Sequence, residues 1–405
     1  MERDTADLFA AGLAPLDLPP RLLMGSGPSN PEPRVLRALA NPPLAADDPA
    51  LAPLLDAIMR GLQGLFQTRS PCAFAVPGAS RSGIEAALAS LLREGDRVLV
   101  GVYGHFGELL CTLAQRHGAI VDRVESDAWG SIVDPELFVE RLKRANPRPV
   151  LAAIVHADTS TGVVQPLEAI GRACRDQGTL LLVDAVLSVG GLELSCDDWC
   201  LDAVVGGLQK CLGGPPGLAL IACSARARAA LDERRASRHS TYLDLRRLAE
   251  QWIERRSLAE ATLPTPMLYA LAEALAIVEE EGLPARWERH RRAGAALKAG
   301  LQAMGLSLFG DPRHRAAMIS IVEVPEGVSE PGVRQQLLDE HGVEIMAAFG
   351  PLRGRVWRIG SMGYNARLES VLRVLAALEA VLAWRGARLD PGAAVIAARE
   401  CFSQP

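Results

Sequence analysis

Of the 43 basic residues in this chain of 405, only three are lysines: Lys143, Lys210 and Lys298. Chemistry that needs a primary amine therefore has three candidates. Lys143 in VERLKRANP and Lys298 in RRAGAALKAG sit among charged neighbours in helix-period stretches and read as solvated. Lys210 differs, because it follows the apolar run AVVGGLQ and precedes CLGGPPG, at the carboxyl end of an expected buried strand. Desolvation disfavours an ammonium ion and yields a neutral amine, the form that condenses with a carbonyl to give a Schiff base. The alternative is an ammonium that caps carbonyls at the sheet edge. Upstream, Asp184 closes the apolar run TLLLVD. A carboxylate there calls for a cationic partner. A protonated ring nitrogen is one, and the carboxylate would keep that ring protonated as an electron sink. A helix N-cap is the other use of an aspartate in a strand-to-helix turn.

Further signals fall at other expected strand ends. Pro77-Gly78-Ala79-Ser80-Arg81 runs into a helix; its free N–H groups, the Ser80 hydroxyl and Arg81 suit a phosphate, although Gly-x-Ser before a helix also caps ordinarily. Tyr103-Gly104-His105-Phe106-Gly107 presents Phe106 either for stacking on a flat heterocycle or for core packing. Asp158-Thr159-Ser160-Thr161-Gly162 offers hydroxyls to a bound ring, or shapes a turn. Arg358, inside RVWRIGSMG, needs an anion: a substrate carboxylate held by both guanidinium arms, or an internal salt bridge.

Positioning these groups requires a sheet. Apolar runs at Arg97–Val102, Val150–His156, Thr179–Asp184, Ala203–Val205 and Leu218–Cys223 alternate with helix-period segments at Ser82–Arg93, Phe106–His117, Pro135–Ala145 and Pro166–Gln177. Such alternation predicts a mainly parallel sheet covered by helices on both faces, with ligands at the carboxyl ends of its strands. Beyond about residue 240 long helices take over at Leu243–Arg255, Thr265–Glu281 and Arg286–Met304. Strands near Ala317–Val324 and Val356–Ile359, a helix near Gly332–Glu340, and helices over 366–385 and 391–401 complete a smaller α/β unit.

Composition excludes several classes. A net charge of −5 argues against a general nucleic-acid binder. No apolar run reaches the roughly 20 residues of a membrane span. The first twenty residues lack an apolar signal core, and the final Ser-Gln-Pro is not a peroxisomal address. Eight scattered cysteines form no Cys-x-x-Cys pair, so no metal site is expected and a reduced, cytoplasmic setting is.

On longer stretches the chain resembles the class V pyridoxal-phosphate (PLP) aminotransferases, within them the alanine–glyoxylate, serine–pyruvate and ureidoglycine–glyoxylate group. The likeness rests on MGSGPSN at 24–30, FQTRSP at 66–71, HADTSTGVVQPL at 156–167, LLLVDAVLSVGG around Asp184, GGLQKCLGGPPG at 206–217, EIMAAFGP at 344–351 and WRIGSMG at 357–363. It implies the type I PLP fold: an N-terminal arm (1–20), a large cofactor-binding domain (21–264) and a small C-terminal domain (265–405). It also implies a homodimer with active sites at the subunit interface. By matching motif, Lys210 would be the Schiff-base lysine and proton shuttle, Asp184 the partner of the pyridine nitrogen, Phe106 the stacking ring and Thr159 a contact to the ring hydroxyl. Ser80, Arg81 and Gln209 would surround the phosphate, Thr262 would reach the phosphate bound by the partner subunit, and Arg358 and Gly27 would meet the substrate.

The implied reaction moves an amino group from alanine, serine or ureidoglycine to glyoxylate or pyruvate. The motifs depart from the family in places. Phe106 replaces a ring that often donates a hydrogen bond, and Ser257-Leu258-Ala259-Glu260-Ala261 replaces an aromatic- and histidine-containing run. Ala46 aligns where ureidoglycine enzymes carry a glutamine, which leaves the donor open. Two rival readings are a desulfurase or other lyase using Cys211, and a non-catalytic PLP-fold binder.

Overall fold

A computed structural model describes residues 17–233, 240–255 and 264–404. Seven strands build the central sheet: β1 (Ala73–Pro77), β2 (Arg97–Val102), β3 (Ile120–Glu125), β4 (Leu151–Val155), β5 (Leu180–Asp184), β6 (Ala203–Gly207) and β7 (Leu218–Cys223). Their spatial order is β1-β7-β6-β5-β4-β2-β3. β7 runs antiparallel to both β1 and β6, and all other pairs are parallel. β1, β4, β6 and β7 are buried throughout, because helices cover both faces and every side chain meets an apolar neighbour.

The edge strand β3 has the half-polar sequence IVDRVE and mostly accessible side chains, which is why no apolar run announced it. Two helices lead away from the functional edge: α1 (Ser80–Leu91) after β1, and α2 (His105–Arg116) after β2.

A second antiparallel sheet has the order β8-β10-β9, from β8 (Ile319–Glu323), β9 (Met346–Ala347) and β10 (Val356–Gly360). Against it lie α4 (Leu283–Ala303), α5 (Leu368–Trp384) and α6 (Ala393–Ser403), whose apolar faces make a core with Met24, Trp357 and Ile359. The preceding helix α3 (Thr265–Glu281) packs elsewhere: Leu268, Leu271, Ala274, Leu275 and Val278 belong to the core of the large sheet. Residues 22–23, in turn, pair in parallel with Val343–Glu344 of the smaller unit. The two cores thus exchange segments around residue 264 instead of meeting at one boundary. A third, small cluster containing Leu187, Cys211, Met318, Ile321, Ala348 and Met362 draws on both units. It lies where the carboxyl edge of the large sheet faces the small one. Among the described residues no helix is long and apolar enough to cross a membrane.

Candidate active site

Strands β1, β2, β4, β5 and β6 all end on this edge, so the loops that follow them converge. After β1 the chain turns through Gly78 into α1, whose N-cap Ala79 offers no side-chain cap. The first N–H groups of that helix are left for another acceptor, with the positive end of the helix dipole behind them. Ser80 at its first turn is buried and accepts a 2.8 Å hydrogen bond from the side-chain amide of Gln209.

Lys210 follows β6 through Leu208 and Gln209. Its ammonium donates to the Ser26 carbonyl, in the loop that carries Gly27. Gly27 has φ +106°, and a Cβ there would stand 2.4 Å from Cδ and Nζ of Lys210. The lysine therefore lies across a backbone position that only glycine fits. Burial pushes the amine down to about 8, and the Arg358 charge acts in the same direction.

Asp184, at the end of β5, is 9% exposed and accepts the Val186 N–H at 3.0 Å. Burial pushes its carboxyl up to about 6. Neither Asp184 nor Lys210 takes part in an ion pair among the described residues. Asp158, fully buried after β4, was not singled out in the sequence. Its Oδ1 accepts from the Ser160 N–H (2.7 Å) and hydroxyl (2.6 Å), and its Oδ2 from the Phe106 N–H (3.2 Å). The Ser160 hydroxyl in turn accepts from the His105 N–H at 2.8 Å. This carboxylate thereby ties the start of α2, and with it Phe106, to the loop carrying Thr159.

From the small sheet, β10 presents Arg358, only 4% exposed. Its Nε donates to the Ala347 carbonyl (2.7 Å) and Nη1 to the Thr159 carbonyl (3.3 Å), and its guanidinium lies 4.4 Å from the centre of the Phe349 ring. Phe349 also stacks on His105 at 4.3 Å and meets Phe106 edge-on at 6.2 Å. No carboxylate ion-pairs with Arg358 among the described residues, and burial lowers its guanidinium to about 10. The internal salt bridge open in the sequence is not what holds it.

A cavity of about 400 Å³ gathers Ser80, Arg81, Phe106, Thr159, Asp184, Gln209 and Lys210 on its wall. Of the residues expected from the sequence, Gly27 adds the loop against the lysine and Arg358 approaches from the other sheet, while Thr262 lies outside the described residues. Lys298 departs from expectation. It is not solvated: Nζ donates to the carbonyls of Ala316 (2.9 Å) and Ala317 (3.1 Å), and burial lowers it to about 8. It does not line the cavity, where Lys210 is the one lysine. Asp158, His105, Ser26 and Phe349 are site residues that sequence reasoning passed over. Phe349 lay inside a quoted motif, and Asp158 beside a predicted contact. Cys211 is fully buried, with burial pushing its thiol up to about 12, so it supplies no thiolate for lyase chemistry.

The chemistry of this donor set fits pyridoxal phosphate. A desolvated amine would suit an aldehyde, a buried carboxylate without a cation a basic ring nitrogen, and an uncapped helix start with a hydroxyl beside it a phosphate. Residues 64–354 match the family model for aminotransferase class V. The chain belongs to that family. Its members depend on PLP, and the chain is accordingly a PLP-dependent aminotransferase of the type I fold. It is 44% identical to the (S)-ureidoglycine–glyoxylate transaminase of Bacillus subtilis, over 97% of this chain and 98% of that one. It is 39% identical to the alanine–glyoxylate aminotransferase of Mus musculus, over 91% and 89%. Among solved structures, the ureidoglycine–glyoxylate aminotransferase of Bacillus subtilis superposes with a TM-score of 0.93 at 44% identity, covering 96% of this chain and all of that one. The alanine–glyoxylate aminotransferase of Nostoc sp. gives 0.89 at 39%, covering 94% and all of it.

Proposed function

We propose that this aminotransferase moves an amino group from a small donor, alanine, serine or ureidoglycine, to glyoxylate. The observation that carries the site is one desolvated amine, Lys210, on the wall of a cavity that also holds an unpaired carboxylate, Asp184, and is approached by a guanidinium without an ion pair, Arg358. The names of the relatives described above share glyoxylate and differ in the donor, which supports glyoxylate as acceptor and leaves the donor to the test. Pyruvate remains a second acceptor to test.

When bound, PLP supplies an aldehyde that condenses with amines and a ring that takes up the electron pair released at the donor's Cα. The protein does the rest. Ser80, Arg81, Gln209 and the start of α1 hold the phosphate. Asp184 would accept a hydrogen bond from the ring nitrogen and so keep it protonated. Phe106 and Thr159 fix the plane of the ring. Lys210 Nζ would hold and move the proton released at the donor's Cα. Arg358 has committed Nε and Nη1 to carbonyls; Nη2 grips the substrate carboxylate. Ureidoglycine as donor is favoured by the 44% identity over nearly the whole length, and opposed by Ala46. A homodimer in the cytoplasm is the assembly and setting this reading carries; the role expected of Thr262 falls outside the described residues. The arm, large domain and small domain fall at about residues 1–20, 21–264 and 265–405, with the interleaving described above.

The test is a half-reaction on the purified holoenzyme. Its visible absorption band bleaches with a true donor and returns on adding glyoxylate. A panel of alanine, serine and ureidoglycine names the donor. A band that no amine bleaches rejects the transaminase reading of the site in favour of a binder. Light scattering tests the dimer.

A further inference from the structure

The start of α4 contributes three side chains that do not line the cavity, yet grip both loops the reaction depends on. Arg286 has a side chain 3% exposed. Its Nη2 donates to the carbonyl of Cys211 at 2.7 Å and of Leu212 at 3.2 Å, the two residues after Lys210. One turn on, Arg289 Nη1 donates to the carbonyls of Gly363 (2.9 Å) and Ala366 (3.2 Å), in the loop that leaves the Arg358 strand. His290, fully buried, completes the hold on that loop by accepting the Gly363 N–H at Nε2, 3.0 Å away.

Burial, with the two arginine charges, pushes the imidazole down to about 3. The ring is thus neutral, and the hydrogen-bond network assigns its proton to Nδ1, which donates to the Arg286 carbonyl at 2.8 Å. Glu281, at the end of α3, joins the two arginines: Oε2 lies 2.6 Å from Arg286 Nη1 and Oε1 2.5 Å from Arg289 Nε. The gripped loops touch each other as well. A Cβ at Gly363 would stand 2.6 Å from the Lys210 carbonyl, and that carbonyl also accepts from the Ser29 hydroxyl at 3.0 Å.

We infer that Glu281, Arg286, Arg289 and His290 are positioning residues that hold the Lys210 loop and the Arg358 loop in one frame, so that the amine and the carboxylate-binding guanidinium keep a fixed separation. The two arginines divide the work: Arg286 serves the lysine and Arg289 the substrate-binding arginine. A planar fork with several fixed donors suits carbonyls in adjacent loops, and an ammonium does not replace it. The location is apt, because α4 begins beside the large-sheet core and runs into the core of the small one.

This rests on the roles given above to Lys210 and Arg358. The holoenzyme of Arg286→Met is expected to lose about tenfold or more in kcat with little change in KM, and to shift the pH midpoint of the visible band by roughly half a unit, since small misplacements of reacting groups cost this much. Arg289→Met, on a partly exposed side chain, is expected to raise KM for the oxo acid about tenfold and leave the midpoint in place. Arg286→Lys keeps the charge against Glu281; it restores the melting temperature and not the midpoint. If all folded variants keep both midpoint and KM and lose only melting temperature, the cluster is structural and the inference falls. Should Arg286→Met not fold, Arg286→Lys and Arg289→Met decide the matter. Lys210→Ala is the separate control: full activity there would overturn the reading of the site itself, whatever the arginine variants do.

Discussion

Raising the pH exposes what burial does to Lys210. An ordinary lysine at 10.5 is about 0.1% neutral at pH 7.5, whereas one at about 8 is roughly a quarter neutral, some two-hundredfold more nucleophile. The same shift, from 10.5 to about 8, costs the folded chain on the order of 3 kcal/mol at neutral pH. Its sign follows from proton counting: between pH 8 and 10.5 the unfolded chain holds the proton and the folded chain does not, so stability rises with pH through that window. The assay is a short pulse of an amine-reactive reagent on the cofactor-free full chain, from pH 6.5 to 10, read by mass spectrometry. With three lysines in the chain, the Lys210 peptide is unambiguous. Its labelling is expected to climb with pH, reach half its plateau near 8 and level off about a unit above that. Replacing Arg358 by leucine moves the plateau to higher pH, because that guanidinium disfavours the ammonium, yet keeps it below 10.5, because burial is the larger cause. A wild-type midpoint near 10.5 would refute the desolvated amine and the nucleophile built on it.

Asp184→Asn is expected to abolish most activity, by about a hundredfold or more in kcat, while stabilising the cofactor-free chain at pH 7.5 by up to about 3 kcal/mol. The wild-type carboxyl, pushed up to about 6, binds a proton in the folded state that the unfolded state has lost, so stability falls as pH rises from about 4 to 6 and the full cost stands above it; thermal melts across that range check the sign. Gly27→Ala drives a methyl into Lys210 at a φ of +106° and is expected to cost about a hundredfold in kcat/KM with a lowered melting temperature. Phe349→Ala removes the ring beneath the Arg358 guanidinium; a cation–π contact of about 1–2 kcal/mol translates to a roughly five- to thirtyfold higher KM for the oxo acid with kcat little changed. Unaltered steady-state constants in either variant would count against the geometry described.

The large sheet was legible because parallel strands buried on both faces are nearly continuous apolar runs, as LAAIV and LALIAC are. IVDRVE at the edge was not, since a strand with one solvated side carries no such run. Lys210 stood out through the scarcity of lysine and its place at a strand end. Lys298 misled for a related reason: on the sequence it is one more charge on a helix, and only the fold brings the carbonyls of residues 316 and 317 to its amine. Asp158 and the Arg286 cluster were hidden because their meaning lies in backbone partners more than fifty residues away, which periodicity does not encode. Helix α3 was assigned by chain order to the C-terminal unit, yet its apolar face completes the first core.

The two costly groups of the cavity have one more property in common. Asp184 and Lys210 are opposite in charge type and share a cavity wall, yet they form no ion pair with each other. Had they paired, attraction would have lowered the carboxyl and raised the amine, erasing both shifts and the nucleophile with them. Kept apart, each retains its own desolvation cost, about 3 kcal/mol apiece by the shifts above. A single ligand that offers an aldehyde to one and a basic ring nitrogen to the other would relieve both at once and so link cofactor binding to folding stability through these two side chains. The consequence is specific: replacing either residue by a neutral one of similar size narrows the difference in melting temperature between cofactor-bound and cofactor-free protein, and does so chiefly by raising the cofactor-free value.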